Sequence, residues 1–408
     1  MATVSKAQDD TTQRSFFQEL SKVLSENIRD YGMFIALFVI MAIFTITTDG
    51  IFISSRNISN LLNQTGYLAV LGVGMTLVIV IRHIDLSVGF LSGFLGAVAA
   101  IAMTSWNLPV GIVIPMTLVL GTIAGLIAGF LVAEMNIPAF VVTLAGWLIY
   151  RGAILLVTED TGTIVIPNDT FNAIGNGFIP DIAGLPFLRE QVHQLTLLLG
   201  IIAIGLFIFS EIRGRQKKMS YELEVLPMEI FIMKLLLVSG IVAGITWVLA
   251  GFNGLSWTVV IVLAVVALYH FVSTQTVLGR HIYAVGGNPE AAELSGISVK
   301  RITFAVFASM GTLSALSGIL FASRLQSATT TAGTLFELDA IAAAFVGGVS
   351  AAGGVGKVTG ALIGALVMTS LINGMNLMGI GISRQYMVRG AVLAAAVLFD
   401  VVTRNRQG

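Results

Sequence analysis

The chain has 408 residues, 56% of them hydrophobic and 11% charged, where an ordinary soluble domain carries about a quarter charged residues. A soluble globule is excluded, and with 22 basic against 22 acidic residues there is no electrostatic footprint for a nucleic-acid partner. The absence of cysteine and the wide scatter of four histidines exclude thiolate chemistry and the closely spaced imidazoles of a zinc helix, so no metal site is expected.

Residues 1–30 mix four bases with five acids and contain no short apolar core ahead of a small-residue cleavage site. They read as a cytosolic N-terminal extension. From there apolar runs recur that are long enough to cross roughly 30 Å of hydrocarbon as helices. They lie at about 31–48, 60–81, 86–103, 110–133, 138–157, 194–212, 230–250, 255–273, 302–323, 358–376 and 386–402, with a short or re-entrant twelfth at 337–349. Consecutive apolar residues, rather than the alternation of barrel strands, make this an all-α, polytopic transmembrane helical bundle of about 12 segments spanning residues 31–402. A tail, 403–408, follows.

With the N-terminus inside, sixteen Lys and Arg fall on the cytosolic side and six on the other, namely Arg56, Arg151, Arg189, Arg324, Arg384 and Arg389. That bias places both termini and the loop 274–301 in the cytosol and the loop 158–193 outside. Gly121, Gly125 and Gly129, and again Gly360 and Gly364, recur at four-residue spacing. Such faces let helices approach closely, either within one subunit, the commoner case, or between subunits. A faint echo between Asp85–Ala97 and Gly356–Leu366 is too weak to establish a repeat.

Few polar residues lie in or beside the spans, and they are the candidates for a translocation path or gate: Asn63, Gln64, Asp85, Ser87, Glu337, Asp339, Asn373 and Asn376. Each has a structural alternative. Asp85 or Ser87 suits the cap of a helix starting near Leu86, Glu337 and Asp339 suit the positive end of a helix dipole, and the amides suit interhelical hydrogen bonds. No ladder of titratable groups crosses the bundle, which argues against proton coupling. The stretch Ala351–Val358 imitates a phosphate-binding loop through its Gly-Lys, but it lacks the first glycine, the hydroxyl after the lysine and a preceding strand.

Within 274–301, Asn288 suits an N-cap, Pro289 the first helical position, Glu290 the dipole and Gly296 a left-handed exit. A helix so short is marginal in water and needs a surface to hold it, with Ala291 and Ala292 small enough for close approach.

The run Gly286-Gly287-Asn288-Pro289-Glu290-Ala291-Ala292-Glu293-Leu294-Ser295-Gly296-Ile297 resembles the ATPase-coupling helix of permease subunits from bacterial ATP-binding-cassette importers of monosaccharides, the ribose, galactose and xylose group. The resemblance extends to His83–Gly89, Ile137–Gly146 with Arg151-Gly152, Glu337–Ala343 and Gly347–Gly356, in the family's order over roughly 30–402. The basic loop 213–229 and the spans 230–250 and 255–273 are additions relative to ribose-type members, so the likeness is nearest to the longer xylose or multiple-sugar permeases. It implies a homodimer, a cytosolic ATPase with tandem nucleotide-binding domains that holds the ATP and Mg, and an extracytoplasmic sugar-binding protein. This chain is then expected to bind no cofactor and perform no catalysis, sitting in the bacterial inner membrane among lipids. The alternative from another class is a secondary sugar transporter or facilitator working without an ATPase.

Overall fold

The computed structural model describes residues 28–182, 192–223 and 225–405. The extension before residue 28, part of the loop 158–193 and the end of the tail lie outside the described residues. In chain order the helices are α1 (Ile28–Thr47), α2 (Ser55–Val80), α3 (Val88–Thr104), α4 (Val110–Ala133), α5 (Ala139–Val157), α6 (Asp169–Asn176), α7 (Gln194–Ser220), α8 (Met228–Ala250), α9 (Trp257–Gln275), α10 (Val277–Gly287), α11 (Pro289–Leu294), α12 (Val299–Leu325), α13 (Phe336–Val346), α14 (Val358–Leu377) and α15 (Ile382–Asn405). Among the described residues nine helices are long and apolar enough to cross a membrane, and Gly32–Thr47 and Val88–Thr104 are shorter apolar stretches. Every apolar run read from the sequence is helical.

The long helices run between two ends. One carries the small antiparallel sheet of β1 (Thr163–Val165) and β2 (Ser327–Thr329); the other carries α11. At the α11 end Gly32 of α1 lies against Phe399 of α15, so the described chain starts and finishes on one side. The stretch 213–220, expected as loop, is helix and completes α7. Arg, Lys and Gln are good helix formers, so charge ends the apolar span there without ending the helix. α7 and α8 form a hairpin whose two feet meet at the sheet end, where the His193 amide donates to the Ala250 carbonyl at 2.9 Å.

Two helices are broken in the interior. α2 descends to the α11 end, where the Val80 carbonyl accepts the Gly354 amide at 2.8 Å. The chain then turns back through Arg82 (φ 67°), and α3 starts midway up the bundle, its Ser92 hydroxyl bonded to the carbonyl of Ser314 in the middle of α12. α12 ascends to the sheet end, turns back through Gln326 (φ 53°) and Leu335 (φ 65°), and α13 starts at the level of Gly89. The left-handed conformation costs a bulky residue such as Leu335 about 1–2 kcal/mol, tolerated here because the segments on both sides are buried. The N-termini of α3 and α13 thus meet inside the bundle and their helices leave in opposite directions. α4 and α14 start at opposite ends and run in opposite directions, as do α5 and α15, so α2–α5 and α12–α15 are inverted halves. The faint sequence echo had aligned α3 with α14; its structural counterpart is α13.

The glycine faces pack within the chain, Gly121 and Gly125 joining α4 of one half to α12 of the other, Gly360 and Gly364 joining α14 to the α13 segment inside the second half. A Cβ at Gly121 would fall 2.4 Å from the Gly311 carbonyl oxygen, at Gly125 2.1 Å from that of Phe307, at Gly360 2.0 Å from that of Gly347, and at Gly364 1.9 Å from that of Ala343. Backbones therefore touch, which maximises dispersion where lipid removes the hydrophobic drive for helix association.

Candidate functional site

The junction of the broken helices is polar. One Asp85 carboxylate oxygen accepts the Ser87 amide at 2.9 Å and the Ser87 hydroxyl at 2.6 Å. Helix α3 opens at Val88, later than the expected Leu86. Ser87 occupies its N-cap position without a side-chain cap bond, so Asp85, not Ser87, stabilises the turn that launches the helix. Opposite, Glu337 Oε1 accepts the indole N–H of Trp147 at 3.0 Å, while its Oε2 is buried with no hydrogen-bond partner among the described residues. A Cβ on Gly89 would sit 2.0 Å from that oxygen and 2.7 Å from the Gly333 carbonyl oxygen, and because the latter is backbone only glycine fits there. Asp339 takes a two-pronged ion pair from Arg389, with Nε at 2.9 Å and Nη2 on the second oxygen. Arg389, counted from the sequence among outer-side bases, is thus an interior residue. Its signal was an isolated base inside an apolar span, which needs an acid partner. Arg151 and Trp147 were also missed: Arg151 lies over the Phe90 ring at 5.0 Å and donates to the Thr330 carbonyl at 2.5 Å.

The amides lie apart from this junction and are used as interhelical ties. Asn63 accepts the Ser256 hydroxyl at 2.5 Å, Asn373 exchanges amide bonds with Asn57 at 3.0 and 3.2 Å, and Asn376 accepts from Gln385 at 2.8 Å. Gln64 is half-buried and joins none of these pairs. Asn57 and Asn63 also line a cavity of about 450 Å³ at the sheet end, beside Arg324, Phe178 and Phe252.

At the opposite end α11 has the anticipated punctuation. The Asn288 side chain accepts the Ala291 amide at 3.0 Å, Pro289 opens the helix and Glu290 sits in its first turn. Gly296 has φ 83°. The Gly296 amide returns to Glu293 at 2.9 Å and that of Ile297 to Ala292 at 3.0 Å, the paired bonds of a glycine-terminated helix. The two alanines divide, however. Ala292 is buried in the chain's own core with Ile302 and Val285, so it anchors α11 instead of meeting a partner. The free face carries Glu290, Ala291, Glu293, Ser295 and Leu294, the last 91% exposed. Arg82 fastens this region to the turn between α2 and α3, donating to the carbonyls of Gly286 at 2.7 Å and of Gly287. The Tyr283 hydroxyl donates to the Gly356 carbonyl at 2.6 Å. The pseudo-phosphate loop is consumed in the same clamp: the Gly354 amide is bound to Val80 and the Ala351 amide to Asp400 at 2.9 Å.

Residues 57–397 match the family described as branched-chain amino acid transport system / permease component. The chain belongs to this family. The permease is 41% identical to the xylose transport system permease protein XylH of Haemophilus influenzae over 94% of this chain and 99% of that protein. It is 40% identical to XylH of Escherichia coli, over 95% of each chain, and 36% identical to the ribose import permease protein RbsC of Escherichia coli, over 90% and 92%. No solved structure matches it. These likenesses and the apolar helices make it a multi-pass inner membrane protein and a transporter component.

Proposed function

We propose that this permease forms the transmembrane pathway of an ATP-driven importer of xylose or a closely similar monosaccharide. It works as a homodimer that receives sugar from an extracytoplasmic binding protein and motion from a cytosolic ATPase with two nucleotide-binding domains. The full-length likeness to the xylose permeases supports the sugar class. One structural observation supports the coupling: a capped helix fixed from below by Ala292 presents a bare Leu294 and, through Arg82, is tied to the turn that sets the start of α3. ATP and Mg bind the ATPase, not this chain. Closure of the ATPase pushes α11, Arg82 carries the displacement into residues 81–87, and the α3–α13 junction shifts between outward- and inward-open arrangements. We place the α11 end and both termini in the cytosol, since Arg82, Arg213, Arg215, Arg280, Lys300, Arg301 and Lys357 gather there, with twelve apolar segments in the membrane.

The test is uptake into proteoliposomes holding permease, ATPase and binding protein. Xylose is expected to accumulate only with ATP. Leu294→Asp should lose both uptake and copurifying ATPase while inserting normally. Uptake by the permease alone overturns the ATP-driven reading, and wild-type behaviour of Leu294→Asp overturns the coupling role of α11.

A further inference from the structure

The α7–α8 hairpin carries a second polar cavity, of about 290 Å³, at the α11 end and remote from the α3–α13 junction. Arg215, Lys218 and Lys234 line it against one acid, Glu211. The arginine is held ready: its Nη1 donates to the Leu226 carbonyl at 2.5 Å and its guanidinium lies 4.8 Å from the centre of the Phe231 ring. Lys234 spends part of its charge on Glu211 at 2.8 Å, while the Lys218 side chain has no partner among the described residues. The acids of the connecting turn, Glu222 and Glu229, do not line the cavity, and Glu224 lies outside the described residues.

The position of this cavity selects its occupant. The α7 sequence is uncharged from Gln194 to Ser210 and first charged at Glu211; at 1.5 Å per residue the basic turns emerge at headgroup depth. Below them Ile201, Leu206, Phe209, Leu236 and Leu237 are exposed along the hairpin, and beside them Met219, Tyr221, Leu223 and Met228 are exposed as well. A free anion uses only the cations. An anionic phospholipid uses the cations with its phosphate and the flanking apolar face with its acyl chains, a combination found where basic pockets lie between transmembrane helices. We propose that the α7–α8 cavity binds the headgroup of an anionic glycerophospholipid.

The experiment is native mass spectrometry of the delipidated, purified permease given dioleoyl-phosphatidylglycerol or dioleoyl-phosphatidylcholine. Phosphatidylglycerol should be retained several-fold over phosphatidylcholine. Arg215→Gln/Lys218→Gln should lower that retention roughly thirtyfold, and Lys218→Gln alone, which breaks no internal contact, should lower it about fivefold. Arg280→Gln, a base at the same end outside the cavity, should leave it unchanged. Equal retention of the two lipids, or wild-type retention by Lys218→Gln, overturns the proposal. Displacement of the lipid by inorganic phosphate in proportion to its charge also overturns it, because the site then recognises a free anion.

Discussion

The helices of the inverted core and those of the α7–α8 hairpin are alike in length and opposite in environment. Nearly nine-tenths of the most apolar window of α2 is buried inside the protein, against 6% for α8. The buried helix is the less hydropathic of the two. In water that order would be reversed. In a bilayer, apolar side chains are equally at home facing lipid, so the core is marked by glycine, small residues and paired polar groups, as Gly121, Gly125, Gly364 and Asp339 illustrate. Hydropathy finds the spans and then misleads about which are inside.

The comparison is broken if the core and the hairpin answer alike to the loss of a charge pair. Asp339→Ala leaves the nearly buried Arg389 guanidinium without its acid, a change that costs about 3–5 kcal/mol. It should sharply lower the thermal unfolding midpoint in detergent, and Arg389→Leu in the same chain should restore most of it. The hairpin's Lys234–Glu211 pair is about a third exposed on both sides, and Lys234→Ala should cost under about 1 kcal/mol. Similar costs for the two would show that the hairpin is no looser than the core.

Bulk sharpens the contrast next. Gly125→Leu forces a side chain against the Phe307 carbonyl and should cost about 1–3 kcal/mol, read as lost folded yield and a lower midpoint. Gly240→Leu, where no described residue stands within 4 Å of an added Cβ, should leave both unchanged.

The smallest effect lies at the hairpin's foot. Desolvation pushes the Asp181 carboxyl up, but the amides of Leu195, Gln194 and Ile182 and nearby His193 together outweigh it and hold the carboxyl below the usual carboxylate range. A depressed folded value stabilises the fold above the unfolded value of about 3.9, and the contribution is lost as pH falls through the lowered folded value. Asp181→Asn should therefore lower the midpoint slightly at pH 7 and converge with wild type in strong acid. A difference that persists undiminished at low pH would remove this carboxylate from the account.

Much of the fold was legible because a span announces itself by the absence of charge, and α11 because Asn288, Pro289 and Gly296 each have one favoured place around a helix. The site was less so. The depth at which α3 and α13 begin is set by tertiary contacts of Gly89 and Gly333, which have no local signature. Asp339 and Arg389 are 50 residues apart, and only the folded chain reveals their pairing. Ala291 and Ala292 are indistinguishable as letters, yet they face opposite surroundings because α11 lies on α12. The amides of Asn63, Asn373 and Asn376 were singled out from the sequence as lining a path or gate, with interhelical hydrogen bonding as the alternative. Their bonds to Ser256, Asn57 and Gln385 place them among the ties between helices.

The touching feet of the hairpin, His193 on Ala250, carry a consequence of parity. A pair of crossings that leaves and re-enters the bundle at one point changes the length of the chain without changing the sense of anything downstream. Removed as a unit from Gln194 to Ala250, it would leave a short gap for the backbone to bridge and α9–α15 pointing as before. Removal of α7 or α8 alone would turn the entire second half over and carry α11 to the wrong face of the membrane. Such an element can be gained or lost only in twos.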